Sequence, residues 1–173
     1  MQQIVNKFNI EGIWHFTDRA NIDLIKQHGG LLSHAELLRR NVVIPAPGGN
    51  DWSHDADHCK GLDEYVHLAF VDDHPMLYAA KQDGRIQNPI WLKIKIAVLQ
   101  IPGVLYSADV SNKSGIPALN AEEAATQIDF EVLFTWLDWR DSLIQQRLRA
   151  ARKSEILVPD FVPIDYIMGW KNG

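Results

Sequence analysis

The residues with chemical potential concentrate in two stretches. One is Lys153-Ser154-Glu155-Ile156-Leu157-Val158-Pro159, where a lone glutamate opens an apolar strand. A carboxylate entering a core needs a partner or a function, because burying an unpaired charge is costly. Glu155 therefore reads two ways: at a strand edge pointing to water, or held by its strand at the mouth of a cleft. In a cleft, such a group stabilises positive charge or takes a proton. The other stretch is Ser53-His54-Asp55-Ala56-Asp57-His58-Cys59, in which imidazole, carboxylate and thiol are all metal ligands. Its spacing matches no closed zinc pattern, and a solvated or substrate-gating loop is the alternative. No P-loop and no Gly-x-Gly-x-x-Gly fingerprint is present, which argues against a Rossmann mode of dinucleotide binding.

The elements that position these residues follow from pattern and punctuation. Ile10 to Thr17 reads as a strand, and Asp18 caps a helix from about Arg19 to His28 that stops at Gly29-Gly30. Ser33 with Glu36 forms a capping box for a second helix, to about Arg40. Asn41 to Asp63, with its prolines and glycines, reads as one long polar loop. Tyr65 to Phe70 is a strand, and Pro75 opens a helix. Pro89 to Ile96 alternates as a strand, with Gly103 to Ser107 as its possible neighbour. Helices follow around 121–127 and 129–136, then a basic helix from Asp141 to Arg152. Glu155 to Val158 is a strand, and Tyr166 to Trp170 the last one. The mixture predicts an α+β fold, a single domain over residues 1–173 with a central split mixed β-sheet flanked by helices.

Composition bounds the function. Hydrophobic residues are 46% and charged residues 23% of 173, an ordinary globular balance. No window approaches the roughly 20 apolar residues of a membrane span, and no membrane partner is expected. The N-terminus lacks the basic and apolar blocks of a signal peptide, and one cysteine, Cys59, suits a reducing compartment, so a cytoplasmic location is expected. A net charge of −5 argues against coating nucleic acid through bulk charge. It leaves room for a local basic groove, and Arg140 to Lys153 is the most basic part of the chain.

Three segments, in order, resemble the DarT-like family of ADP-ribosyltransferase toxins. Trp14-His15-Phe16-Thr17 with Asn21 is similar to the family's opening strand and helix, where a His, a hydroxyl residue and an Asn line the NAD pocket. Glu64-Tyr65-Val66-His67-Leu68-Ala69-Phe70, followed by Pro75-Met76-Leu77-Tyr78, resembles the nicotinamide side. Lys153-Ser154-Glu155-Ile156-Leu157-Val158 resembles the strand bearing the catalytic glutamate. The family also uses a catalytic arginine after its second helix. Here no arginine lies between Arg40 and Arg85, so Lys60 or His58 takes over that charge, or Arg39 or Arg40 folds in.

The resemblance implies an NAD-dependent transferase, with NAD as co-substrate. Its acceptor is a base of single-stranded DNA or RNA, and it acts as a toxin of phage defence neutralised by an antitoxin protein. Glu155 would stabilise the oxocarbenium-like sugar as nicotinamide leaves. His15, Thr17 and Asn21 would hold the adenosine side, and Tyr65, His67, Phe70, Met76 and Tyr78 the nicotinamide. Arg149, Arg152 and Lys153 would meet the nucleic acid, with Trp52, Trp136 and Trp139 as stacking candidates. Three rivals stand beside this reading: a transferase modifying protein side chains, a non-catalytic NAD-binding or interaction module, and a metal-dependent hydrolase built on His54, Asp57 and His58.

Overall fold

The computed structural model describes all 173 residues. The helices are α1 (Gln2–Phe8), α2 (Ile22–Gln27), α3 (His34–Arg39), α4 (Asp51–Lys60), α5 (Pro75–Gln82), α6 (Ala121–Gln127), α7 (Phe130–Phe134) and α8 (Ser142–Ala151). The strands are β1 (Ile13–Asp18), β2 (Gly30–Leu32), β3 (Tyr65–Ala69), β4 (Pro89–Ile94), β5 (Leu105–Ser107), β6 (Glu155–Pro159), β7 (Phe161–Pro163) and β8 (Ile167–Asn172). Six strands form one sheet in the order β5-β6-β3-β1-β4-β8, and β2 pairs with β7 apart from it. Every pairing is antiparallel.

The sheet splits at its centre. β1 and β4 pair along six residues and β3 and β6 along five, whereas β1 meets β3 at the single pair Trp14 and Ala69. Beyond that point the strands diverge and open a cleft. Period-two alternation then assigns the faces. Val66, Leu68, Phe70, Ile156 and Val158 enter the main core with Ile13, Ile90, Leu92 and Ile94. Each fully buried aliphatic side chain there contributes about 1.5–3 kcal/mol. The alternate residues Tyr65, His67, Ala69 and Glu155 take the opposite face, since Glu155 is paired with Ala69 in register.

Two sequence expectations change. Asn41 to Asp63 is not one loop, because ten of its residues form α4. Asn50 caps that helix by accepting from the Ser53 amide at 2.9 Å, and Gly61, at φ 67°, ends it. A helix with so few apolar residues has no period to read, but its caps were visible at both ends. β5 pairs with β6, not with β4, which places the Ser107 end beside Glu155 at the far edge of the sheet. The split α+β sheet is as expected.

Candidate active site

The cleft between β1 and β3 is a cavity of about 230 Å³. Six of the seven histidines line it, together with Glu155, Asp57, Asp63, Thr17, Asn21, Tyr65 and Met76. Glu155 and His15 therefore share one hollow, although 140 positions separate them in the chain.

Glu155 is 5% exposed, so its charge depends on donors supplied by other elements. Its Oε2 accepts from the Ser111 hydroxyl at 2.5 Å, from the Ser111 amide at 3.2 Å and from His67 Nδ1 at 3.2 Å. Oε1 makes no such bond and lies 3.7 Å from His74 Nε2. One oxygen is thus anchored and the other is open to a ligand. Burial alone would raise the Glu155 pKa, but the hydrogen bond and charge of His67, with the Ser111 hydroxyl, outweigh it and hold the carboxyl below its usual range.

His67 carries the positive charge of the pair. Its Nδ1 faces the Glu155 carboxylate and its Nε2 faces the Leu62 carbonyl at 3.3 Å, so both nitrogens meet acceptors and both carry protons. Burial pulls its pKa down, yet the bond to Glu155 and the nearby Asp57 push it up to about 9. His15 is its opposite. Burial lowers the His15 pKa to about 4, against which the hydrogen bond to the His67 carbonyl is the main restraint. Nδ1 donates that bond at 3.0 Å, which leaves Nε2 as an acceptor. His74 is also neutral, since burial lowers its pKa more than Glu155 raises it. Its Nδ1 caps α5 by accepting from the Met76 amide, and Nε2 donates to the Lys153 carbonyl at 3.3 Å.

The three residues expected on the adenosine side, His15, Thr17 and Asn21, behave less uniformly than the family likeness implies. Asn21 donates to Thr17 Oγ1 at 3.0 Å and to the Ala46 carbonyl at 2.7 Å, and accepts from the Ala46 amide at 3.0 Å. Its amide is fully occupied, and it pins the segment before α4 against the cavity. Thr17 retains a hydroxyl proton to donate. Gly49 gives His54 room: a Cβ there would lie 2.8 Å from the imidazole, which instead stacks on His34 with ring centroids 3.9 Å apart.

Several expected residues lie elsewhere. Phe70 is in the main core, edge-on to Phe130, because it alternates with Tyr65 and His67 and so takes the other face. Tyr78 is 69% exposed and outside the cavity lining, as it sits two residues beyond Met76 on a helix that turns it away. His58 pairs with Asp63 at 2.7 Å with its side chain 79% exposed. Lys60 donates to the carbonyls of Ser111, Lys113 and Ile116 at 2.5, 2.9 and 2.9 Å. Neither lines the cavity; Lys60 acts on it only by clamping the turn that presents Ser111 to Glu155. Arg39 is held by Glu36, Glu64 and Asp160, and Arg40 by Glu36. Arg152 pairs with Asp73, while Arg149 is exposed and Lys153 half-buried, all outside the lining. His54, Asp57 and His58 do not converge as a metal site, because His54 and Asp57 face the cavity and His58 faces Asp63.

Sequence reasoning missed His74, Ser111 and Arg85. His74 precedes Pro75, a helix-capping position that was legible. Ser111 lies in a turn that long-range folding alone brings to Glu155. Arg85 donates to the Gly48 carbonyl at the cavity rim and is the one arginine joined to that lining by a hydrogen bond.

A family model described as DarT, ssDNA thymidine ADP-ribosyltransferase, matches residues 14–169. Among solved structures, Thermus sp. 2.9 DarT in complex with ADP-ribosylated ssDNA superposes with a TM-score of 0.69 at 19% identity, covering 92% of this chain and 79% of that one. The same Thermus protein in complex with NAD+ gives 0.60 at 21% identity, covering 91% and 79%. Thermosipho africanus DarTG in complex with ADP-ribose gives 0.65 at 18% identity, covering 92% and 43%. A search of curated proteins finds no match. At these identities the structures speak for the fold, and the family model for the lineage: the chain belongs to the DarT family of ssDNA thymidine ADP-ribosyltransferases.

Proposed function

We propose that this chain transfers ADP-ribose from NAD to the thymine base of single-stranded DNA, with Glu155 as the carboxylate at the reacting sugar. The observation that carries this reading is the shared cavity of Glu155 and His15. NAD lies across the split in the sheet. The acceptor nitrogen of His15 and the hydroxyl of Thr17 take the adenosine ribose, and Tyr65, His67 and Met76 flank the nicotinamide. As the bond from nicotinamide to ribose breaks, positive charge grows on the sugar, and the free Oε1 of Glu155 stabilises it in a site of low dielectric. Ser111 and His67 hold Oε2, so the carboxylate needs no reorganisation as that charge develops. Lys60 serves as a positioning residue through Ser111, and His67 supplies the cavity's fixed positive charge.

Thymine must be unstacked to be reached, which favours a single strand. Trp52, exposed at the start of α4 beside the cavity rim, offers a stacking surface, with Trp136 and Trp139 exposed farther along the chain. Arg149 and Lys153, near the strand of Glu155, supply phosphate contacts. Residues 1–173 act as one ADP-ribosyltransferase-like domain. The reading extends to a toxin restrained by an antitoxin protein, supported by the likeness to Thermosipho DarTG, and, from the family resemblance alone, to a role in phage defence. A cytoplasmic location fits, as no helix is long and apolar enough to cross a membrane.

Labelled NAD incubated separately with single-stranded DNA, duplex DNA, RNA and protein tests the acceptor. Label on thymidine-containing single strands alone is expected. Label on protein alone would favour the protein-modifying rival, and NAD bound but unchanged with every acceptor would favour a binding module. Growth arrest on expression, relieved by Glu155→Gln, tests the toxin reading.

A further inference from the structure

A second carboxylate in the cavity has one buried oxygen that accepts no hydrogen bond. Asp57, on the inner face of α4, is 9% exposed and lines the same hollow as Glu155. Its Oδ1 is buried and accepts no hydrogen bond from the protein. A buried, unsatisfied carboxylate oxygen is costly, and a donor that arrives with a ligand would satisfy it. The nearby donors leave Oδ1 unsatisfied: Asn112 donates to Ser53 at 2.8 Å and adds only a stabilising contact to the carboxylate, and His67 is spanned between Glu155 and the Leu62 carbonyl.

The arriving donor follows from the reaction, on the reading proposed above. Thymine in DNA bears one ring N–H, the imide between its two carbonyls, and that nitrogen must lose its proton to become a nucleophile. Glu155 is badly suited to take it, since Ser111 and His67 hold Oε2 and keep the carboxyl a weak base. We propose that Asp57 is a second catalytic residue, the general base that removes the imide proton of the acceptor thymine. The bond from the nicotinamide nitrogen to the ribose breaks and its electron pair leaves with neutral nicotinamide. The imide nitrogen supplies the pair for the new bond to the same sugar carbon, and its proton passes to Asp57 Oδ1.

The electrostatics agree with this division. Burial raises the Asp57 pKa, Glu155 and Asp63 add to the rise, and His67 with Asn112 opposes it. A carboxylate raised toward neutrality is a better base than one held low, and two acids driven apart in one cavity suit two roles.

The experiment is steady-state ADP-ribosylation of a thymidine-containing single-stranded oligonucleotide across pH, with NAD affinity measured separately. Asp57→Asn keeps the shape and removes a buried charge. Its kcat is expected to fall about 10²-fold with NAD affinity unchanged. The deficit should shrink as the pH approaches the imide's own pKa, where the base ionises unaided. Asp57→Glu, which keeps a carboxylate, should retain more activity than Asp57→Asn and serves as the second variant. A kcat equal to wild type, a deficit constant across pH, or a parallel loss of NAD affinity would each overturn the assignment. Failure of the underlying reading is distinct: wild-type protein would then leave the oligonucleotide unmodified, and both proposals would fall together.

Discussion

His15 and His67 belong to neighbouring strands, share a hydrogen bond and line one cavity, yet they end in opposite charge states. Burial disfavours the charged form of both. His15 finds only a backbone carbonyl and becomes a neutral ring with a free acceptor nitrogen. His67 finds the Glu155 carboxylate and becomes a cation. The end of the cavity that suits a sugar hydroxyl is thus uncharged, whereas the end proposed for bond cleavage holds an ion pair. Burial is common to both sites; the partner decides the chemistry.

The largest expected effect comes from removing the acid itself. Glu155→Gln keeps the shape and leaves His67 without its counter-ion, and should lower ADP-ribosylation by at least about 10²-fold in an assay with labelled NAD. If that variant stays active, the contrast between the two ends has no catalytic meaning. His67→Gln comes next, with an expected loss of about 10-fold or more in kcat, because Glu155 loses a charged donor worth about 1.5–3 kcal/mol.

The same pair of histidines predicts opposite slopes of stability with pH. His67 is raised, so its contribution is full below 6.5 and is lost as the pH climbs through about 9. Glu155 is lowered, so its share is present above 4.5 and lost as the pH falls. His15 is lowered, so its protonation in the unfolded chain erodes stability as the pH falls from 6.5 toward about 4. Thermal midpoints across pH should therefore flatten on the alkaline side in His67→Gln and on the acid side in His15→Gln. Matching profiles for the two variants would refute the assigned charge states.

Lys60→Met should lower kcat by a smaller factor, about 3- to 10-fold, by loosening the turn that carries Ser111, with NAD affinity preserved. Loss of NAD affinity instead would return Lys60 to a direct role. The smallest effect is expected from Tyr78→Ala, which should change neither NAD affinity nor kcat, because that ring is exposed and outside the cavity.

Part of the candidate site was legible in the sequence. Glu155 stood out because a carboxylate at the head of an apolar strand demands a partner, and the ordered likeness around Trp14–Thr17 and Tyr65–Phe70 marked both walls. Parity alone places Phe70 outside the cleft, since a residue three beyond His67 in a strand takes the other face. Helix α4 was hidden because its polar residues carry no hydrophobic period, although Asn50 and Gly61 marked its ends. Ser111, whose two donors anchor Glu155, had no local signal at all.

The sequence by itself determined which segments alternate, where the caps lie and that one acid enters the core, because these depend on neighbours within a few positions. Only the tertiary structure decided which imidazole is charged, which cation is a clamp and which carboxylate keeps an unsatisfied oxygen. Those properties belong to pairs brought together across the fold: Glu155 with His67, Lys60 with the turn at Ser111, and Asp57 with no donor on its buried oxygen. Charge in a buried site is set by what stands within a few ångströms, and chain spacing does not record that distance.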